Sequence, residues 1–228
     1  MAAIRAVISL LEEVVYPRRD YGDRACRAGA ELLNKLFGID TLDALTAYYV
    51  PGAEELAVRA ALQELYEDVD PRLVAKTAAV MAAHAARLAP YADALEVFSL
   101  LQGMDVPLGC IVDGPAHSQR QLADRLQADK IFQQIVFSGE LYGDHPLTEG
   151  LHLMELLLDC PLSSTAFLCS RGEHARAAAP QVGQVYRIIR EAPSGRRQSG
   201  RAALSNVIPM VNLYDLPEAL GLVAWPDV

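Results

Sequence analysis

The side chains that could do chemistry stand just behind short apolar runs. Glu12 and Glu13 follow residues 4–11 (IRAVISLL), and Asp113 with Gly114 follows residues 106–112 (VPLGCIV). Asp144 and His145 come after residues 134–138 (QIVFS), and Ser170 with Arg171 closes residues 165–170 (TAFLCS). Glu12 could serve as a general acid and Glu13 as a lone metal ligand. One carboxylate pair is a poor magnesium site by itself, since that ion wants near-octahedral oxygen coordination. The plainer alternative is a solvated strand-end loop. His145 could act as a base when neutral, or pair as imidazolium with a phosphate or carboxylate; against this stands a surface histidine in a turn. Ser170 and Arg171 lie where an apolar run meets a helical pattern, a place where N–H groups and a guanidinium can hold an anion. His117, Ser118 and Arg120 read as structural or solvent-facing.

Residues 187–201 (RIIREAPSGRRQSGR) hold five arginines in an otherwise acidic chain. The glycines and proline there predict a mobile loop, in which Arg196, Arg197 and Arg201 could dock an acidic partner. The 228 residues carry 20 basic and 29 acidic side chains, a net charge of −9. That balance argues against coating nucleic acid or an anionic membrane. An apolar fraction of 52% excludes disorder. No run is long enough for a membrane span, and Glu12 and Glu13 interrupt what would be a leader's apolar core. Cys26, Cys110, Cys160 and Cys169 are far apart without zinc spacing, so reduced, mostly buried thiols and a cytoplasmic location are expected.

The chain reads in three blocks. Residues 4–11 are a buried strand. From about residue 20 to 88 the apolar spacing becomes helical, punctuated by Gly38, Pro51-Gly52 and Asp70-Pro71, and predicts four helices. After Pro90, strand-like runs at 106–112, 134–138, 165–170, 185–190 and 207–213 alternate with helical stretches at 116–127, 147–158 and 173–180. Such alternation predicts a parallel sheet with crossover helices, an α/β layered domain, whose ligands would sit beyond the carboxyl ends of the strands. The helical block is then an insertion after the first strand.

At these strand ends the sequence resembles the haloacid-dehalogenase-like hydrolases, in particular the subgroup with a helical cap inserted after the first motif. Residues 4–20 (IRAVISLLEEVVYPRRD) resemble the first strand and loop. Residues 89–103 resemble the return from the cap, and 108–126 (LGCIVDGPAHSQRQLADRL) the second motif. Residues 135–146 (IVFSGELYGDHP) lead to the third, 166–183 (AFLCSRGEHARAAAPQVG) to the fourth, and 206–221 close the sheet. The resemblance implies an α/β Rossmannoid core over 1–18 and 89–228, with a helical cap over 19–88.

The resemblance also implies chemistry: a nucleophilic Asp, a second Asp two residues later, a Ser or Thr, a Lys, and fourth-motif acids that help hold magnesium. Anchored on Tyr16-Pro17, the nucleophile falls on Leu10 and the acid on Glu12; shifting by one residue gives Ser9 and Leu11. The hydroxyl position is Val112, the lysine position His145, and the acids fall on Ser170 and Ala175. Each reacting group is replaced, so the expectation is a pseudoenzyme with no catalytic or metal-binding residues, acting as a binding, scaffolding or regulatory module. Two alternatives stay open: a phosphatase-type hydrolase using Glu12, Asp113, His145 or Ser170 in new roles, and a sensor that keeps a small-anion site at Glu12, Glu13, Asp113, His145, Ser170 and Arg171. A protein partner or a small anionic metabolite is expected, and a monomer or a homodimer.

Overall fold

A computed structural model describes residues 3–49, 53–84, 89–114, 116–142, 145–190 and 205–222. Its centre is a parallel sheet of six strands: β1 (Ala6–Leu10), β2 (Leu108–Val112), β3 (Gln134–Phe137), β4 (Thr165–Cys169), β5 (Gln184–Ile188) and β6 (Val207–Met210). The spatial order is β3-β2-β1-β4-β5-β6. Register is fixed by pairs such as Leu10 with Ile111 and Ser9 with Leu168. All residues of β1, β2 and β4 are buried, which is why these strands read as unbroken apolar runs: a parallel sheet is covered on both faces.

Strand alternation divides the core into two clusters. Val7, Leu11, Cys110, Val112 and Leu168 face one side, where they meet α5 (Ala92–Gly103), α6 (Ala116–Arg125), α7 (Ala128–Ile131) and α10 (Leu216–Ala219). Ile8, Leu10, Ile111 and Phe167 face the other, beneath α8 (Pro146–Leu157) and α9 (Gly172–Ala178). Gly109 lies under α8, where a Cβ would stand 2.7 Å from the Met154 sulfur, so even a methyl there would make the Met154 side chain shift.

Between β1 and α5 run four helices, as the spacing predicts: α1 (Arg18–Phe37), α2 (Leu42–Tyr48), α3 (Glu54–Gln63) and α4 (Pro71–His84). They enclose their own apolar cluster of Ala25, Leu33, Leu45, Val58, Leu62, Val74 and Met81. The buried face of α4 is Val74, Thr77, Ala78 and Met81, and Gly29 of α1 leaves room for the Met81 side chain. Gly38 ends α1 in the left-handed conformation at φ 70°, its N–H donating to the Asn34 carbonyl. The block meets the sheet domain through aromatics: Tyr16 and Tyr21 pack edge to face at 6.5 Å, and Tyr21 leans on Tyr49.

The strands end earlier than the sequence suggests on the carboxyl side. β5 stops at Ile188 and β6 at Met210, so Arg190 and Leu213 belong to the loops beyond. Arg196, Arg197 and Arg201 lie outside the described residues, as does Asp144.

Candidate functional site

Parallel strands direct their carboxyl ends to one rim, and the loops there carry Glu12, Asp113, Ser138, Ser170, Arg171 and His174. The first position to inspect is the end of β1. Leu10 is 3% exposed and belongs to the apolar cluster under α8 and α9. Ser9, the candidate in the shifted register, is fully buried and donates its hydroxyl to the Leu10 carbonyl at 2.8 Å, which leaves no attacking group there. Val112 is likewise buried in the opposite cluster.

The turn behind β1 departs from the solvated loop that two adjacent glutamates suggest. The Glu13 N–H donates to the Tyr16 carbonyl at 2.9 Å and the Val15 N–H to the Leu11 carbonyl at 3.0 Å, closing a tight loop with Glu13 at φ 59°. Glu12 is buried at its base, where Arg171 Nη2 approaches its Oε2 at 3.5 Å. Arg171 in turn places Nη1 3.6 Å from Glu173 Oε1. The guanidinium thus stands between two carboxylates, whose negative charges disfavour an anion arriving at the turn. Glu13 lies apart from this group and receives the Tyr91 hydroxyl at 3.4 Å.

Asp113 sits at the end of β2 in a polar pocket that its neighbours along the chain do not reveal. Ser138, just past β3, donates its hydroxyl to Asp113 Oδ1 at 3.0 Å and accepts the Gly114 N–H at 3.2 Å. Gly114 has φ 124°, a backbone conformation that favours glycine, and a Cβ there would push aside the Gln119 amide, 2.7 Å away. From α9, His174 brings Nε2 to 3.7 Å from Asp113 Oδ2, an electrostatic contact longer than a hydrogen bond. Burial lowers the His174 pKa, opposed by the Asp113 charge and reinforced by Arg171. The His174 Nδ1 is buried and has no hydrogen-bond partner among the described residues.

The sequence analysis singled out Ser170 and Ala175 on this stretch but not His174: α9 starts at Gly172 and turns Ala175 into the apolar cluster while His174 faces Asp113. A helix of two turns gives too few apolar repeats to fix its phase from sequence. Ser138 was missed for a related reason: it ends an apolar run and looks like part of the strand. His145 is exposed and precedes α8; Pro146 takes the first helical position, which suits its missing N–H. Arg120 forks onto Glu140 at 2.7–2.8 Å and stacks on Phe137, a surface brace rather than a site group.

Magnesium, which the resemblance implies, does not fit these donors. Glu12 is paired with Arg171 and Asp113 with Ser138, and Leu10, at the position where the resemblance places the nucleophile, offers a buried hydrocarbon side chain and no oxygen ligand. Among the described residues no three His, Cys, Asp or Glu side chains converge as metal ligands.

No protein-family model matches the chain, and no curated protein does so. Solved structures do match in fold. A protein from Thermotoga maritima described as a beta-phosphoglucomutase superposes with a TM-score of 0.70 at 16% identity, over 97% of this chain and 100% of that one. The 2-haloacid dehalogenase from Pseudomonas syringae pv. Tomato DC3000 gives 0.67 at 16% identity, over 96% and 98%. The L-2-haloacid dehalogenase from Xanthobacter autotrophicus gives 0.64 at 20% identity, over 97% and 100%. The chain therefore has the haloacid-dehalogenase-like fold, an α/β Rossmannoid core on a six-stranded parallel sheet. No helix among the described residues is long and apolar enough to cross a membrane.

Proposed function

We propose that this protein keeps the haloacid-dehalogenase-like fold without its hydrolytic chemistry and works as a binding or regulatory module. The observation that carries the reading is Leu10: the end of β1, where the resemblance places the nucleophile, is filled by a buried leucine packed in the core. The internal pairing of Arg171 with Glu12 and Glu173 supports a protein partner over a small anion, since that guanidinium already has carboxylates beside it. The helical block is the cap of this arrangement, and the buried free thiols suit a reducing cytoplasm. The test is thermal unfolding of the full chain with magnesium and with inorganic phosphate. The reading expects no change. A ligand at about 100 times its dissociation constant adds roughly 2.7 kcal/mol, so a rise of several degrees that Glu12→Ala abolishes would overturn it.

A second reading rests on Asp113, Ser138 and His174. Here Asp113 would be the reacting carboxylate and His174 a neutral base beside it, giving metal-independent hydrolysis at the end of β2. It expects turnover without magnesium that both Asp113→Asn and His174→Ala remove, and fails if neither changes any activity found.

A further inference from the structure

The helical block is joined to the sheet domain by two chain crossings, residues 12–17 outward and 89–92 on the return. Two such strands of backbone ordinarily make a hinge, because a few residues can absorb the rotation of one packed unit against another. Here one side chain occupies the hinge. Arg190, just beyond β5, donates Nη2 to the Val14 carbonyl at 2.8 Å and Nε to the Glu13 carbonyl at 3.3 Å, holding the outward crossing. The same guanidinium donates Nη1 to Asp93 Oδ2 at 2.8 Å and lies 3.7 Å above the Tyr91 ring, holding the return. Asp93 Oδ2 also accepts the Leu213 N–H at 2.8 Å, which ties the loop after β6 into the group. The two crossings are joined directly as well, by the Tyr91 N–H and the Val15 carbonyl at 2.8 Å.

We infer that Arg190 is a latch that locks the helical block onto the sheet domain, so that the two move as one body unless the latch is released. Asp93 is buried, and Arg190 is mostly so, which removes the solvent screening that makes surface pairs weak. A planar guanidinium spends its separate N–H groups on two carbonyls and a carboxylate while its face covers a ring; a lysine could reach one of these partners at a time. The left-handed backbone of Glu13, unfavourable for a side chain with a Cβ, is held in place from both sides, by Arg190 at its carbonyl and Tyr91 at its carboxylate. A second arginine braces the far side: Arg125 of α6 donates to the Ala82 carbonyl of α4 at 3.1 Å. Sequence alone places Arg190 at the end of a strand-like run and within the arginine-rich stretch 187–201; its contacts place it beside the two crossings.

The inference does not depend on whether the strand ends are catalytic. Its test uses two introduced cysteines, Glu55→Cys on α3 and Ser99→Cys on α5, both at exposed positions; the four native thiols are buried, so spin labels go to the new sites. Pulsed dipolar spectroscopy on the full chain should give a single narrow distance distribution. Arg190→Met should add a longer-distance population, and amide exchange in residues 12–16 and 89–92 should quicken roughly tenfold or more. Arg190→Lys should do the same in part. A broad distribution in the parent chain would overturn the latch outright, with no need for any variant to fold. So would a folded Arg190→Met protein, checked by circular dichroism, whose distances and exchange match the parent's.

Discussion

Replacing Leu10 by Asp puts a carboxyl group back at the end of β1 and measures what surrounds that position. The leucine is 3% exposed and packs with Ile8, Ile111 and Phe167 beneath α8 and α9. Removing its branched side chain costs about 2–5 kcal/mol by comparison with buried leucine truncations. An unpartnered polar group in its place adds about 1–3 kcal/mol. The sum is on the order of 3–8 kcal/mol, against a total stability of about 5–15 kcal/mol for a domain. The loss should also depend on pH. Desolvation raises the buried carboxyl's pKa above its unfolded value near 4. Between those two values folding takes up a proton, so stability falls by about 1.4 kcal/mol for each unit that pH rises. Urea unfolding at pH 5 and pH 8 should therefore show a larger deficit at pH 8 for Leu10→Asp, and no such increment for Leu10→Asn. A Leu10→Asp protein within about 1 kcal/mol of the parent at pH 8 would refute the reasoning, because it would mean that position 10 faces a polar, accessible centre.

Three further expectations follow from the geometry. Gly183→Ala should destabilise more than Gly109→Ala: the new Cβ of the first meets the Ser163 backbone carbonyl, whereas the second meets a Met154 side chain that can turn away; denaturant midpoints should show about 1–3 kcal/mol for the worse case. His174 has its pKa lowered chiefly by burial, so its unfolded form takes up a proton first as pH falls below about 6.5. Part of the stability lost on acidification through that range should vanish in His174→Gln, read from unfolding curves at several pH values. The buried thiols should resist a disulfide reagent in the native protein, with Cys26 pushed up to about 11 and Cys169 to about 12 by burial; all four should react once guanidinium unfolds the chain, and rapid native labelling would contradict the packing.

How far the sequence could be read depended on the length and burial of each element. Strands β1, β2 and β4 are buried on both faces, so their apolar runs stand out and the parallel sheet follows. The four-helix insertion was legible because α1 and α4 are long enough to show a stripe. At the rim the evidence thins. Glu12 looks like a surface residue until Arg171, 159 positions away in the chain, is seen to cover it. His174 and Ala175 differ by one step on a helix of seven residues, and only packing decides which faces Asp113. Arg190 lies in an arginine-rich stretch, and nothing local distinguishes it from its neighbours. Its partners, Glu13, Val14, Tyr91 and Asp93, are supplied by the topology that brings β5 beside β4 and the return of the insertion beside its departure.

The most direct test of the central claim is turnover by the purified full chain. The assay would offer a phosphate monoester panel and short 2-haloacids, with and without magnesium, at protein concentrations high enough to detect rates about 10⁴–10⁶ below those of an intact nucleophile. The account predicts no product above a heat-denatured control. Magnesium-dependent product formation that Glu12→Ala abolishes would contradict it.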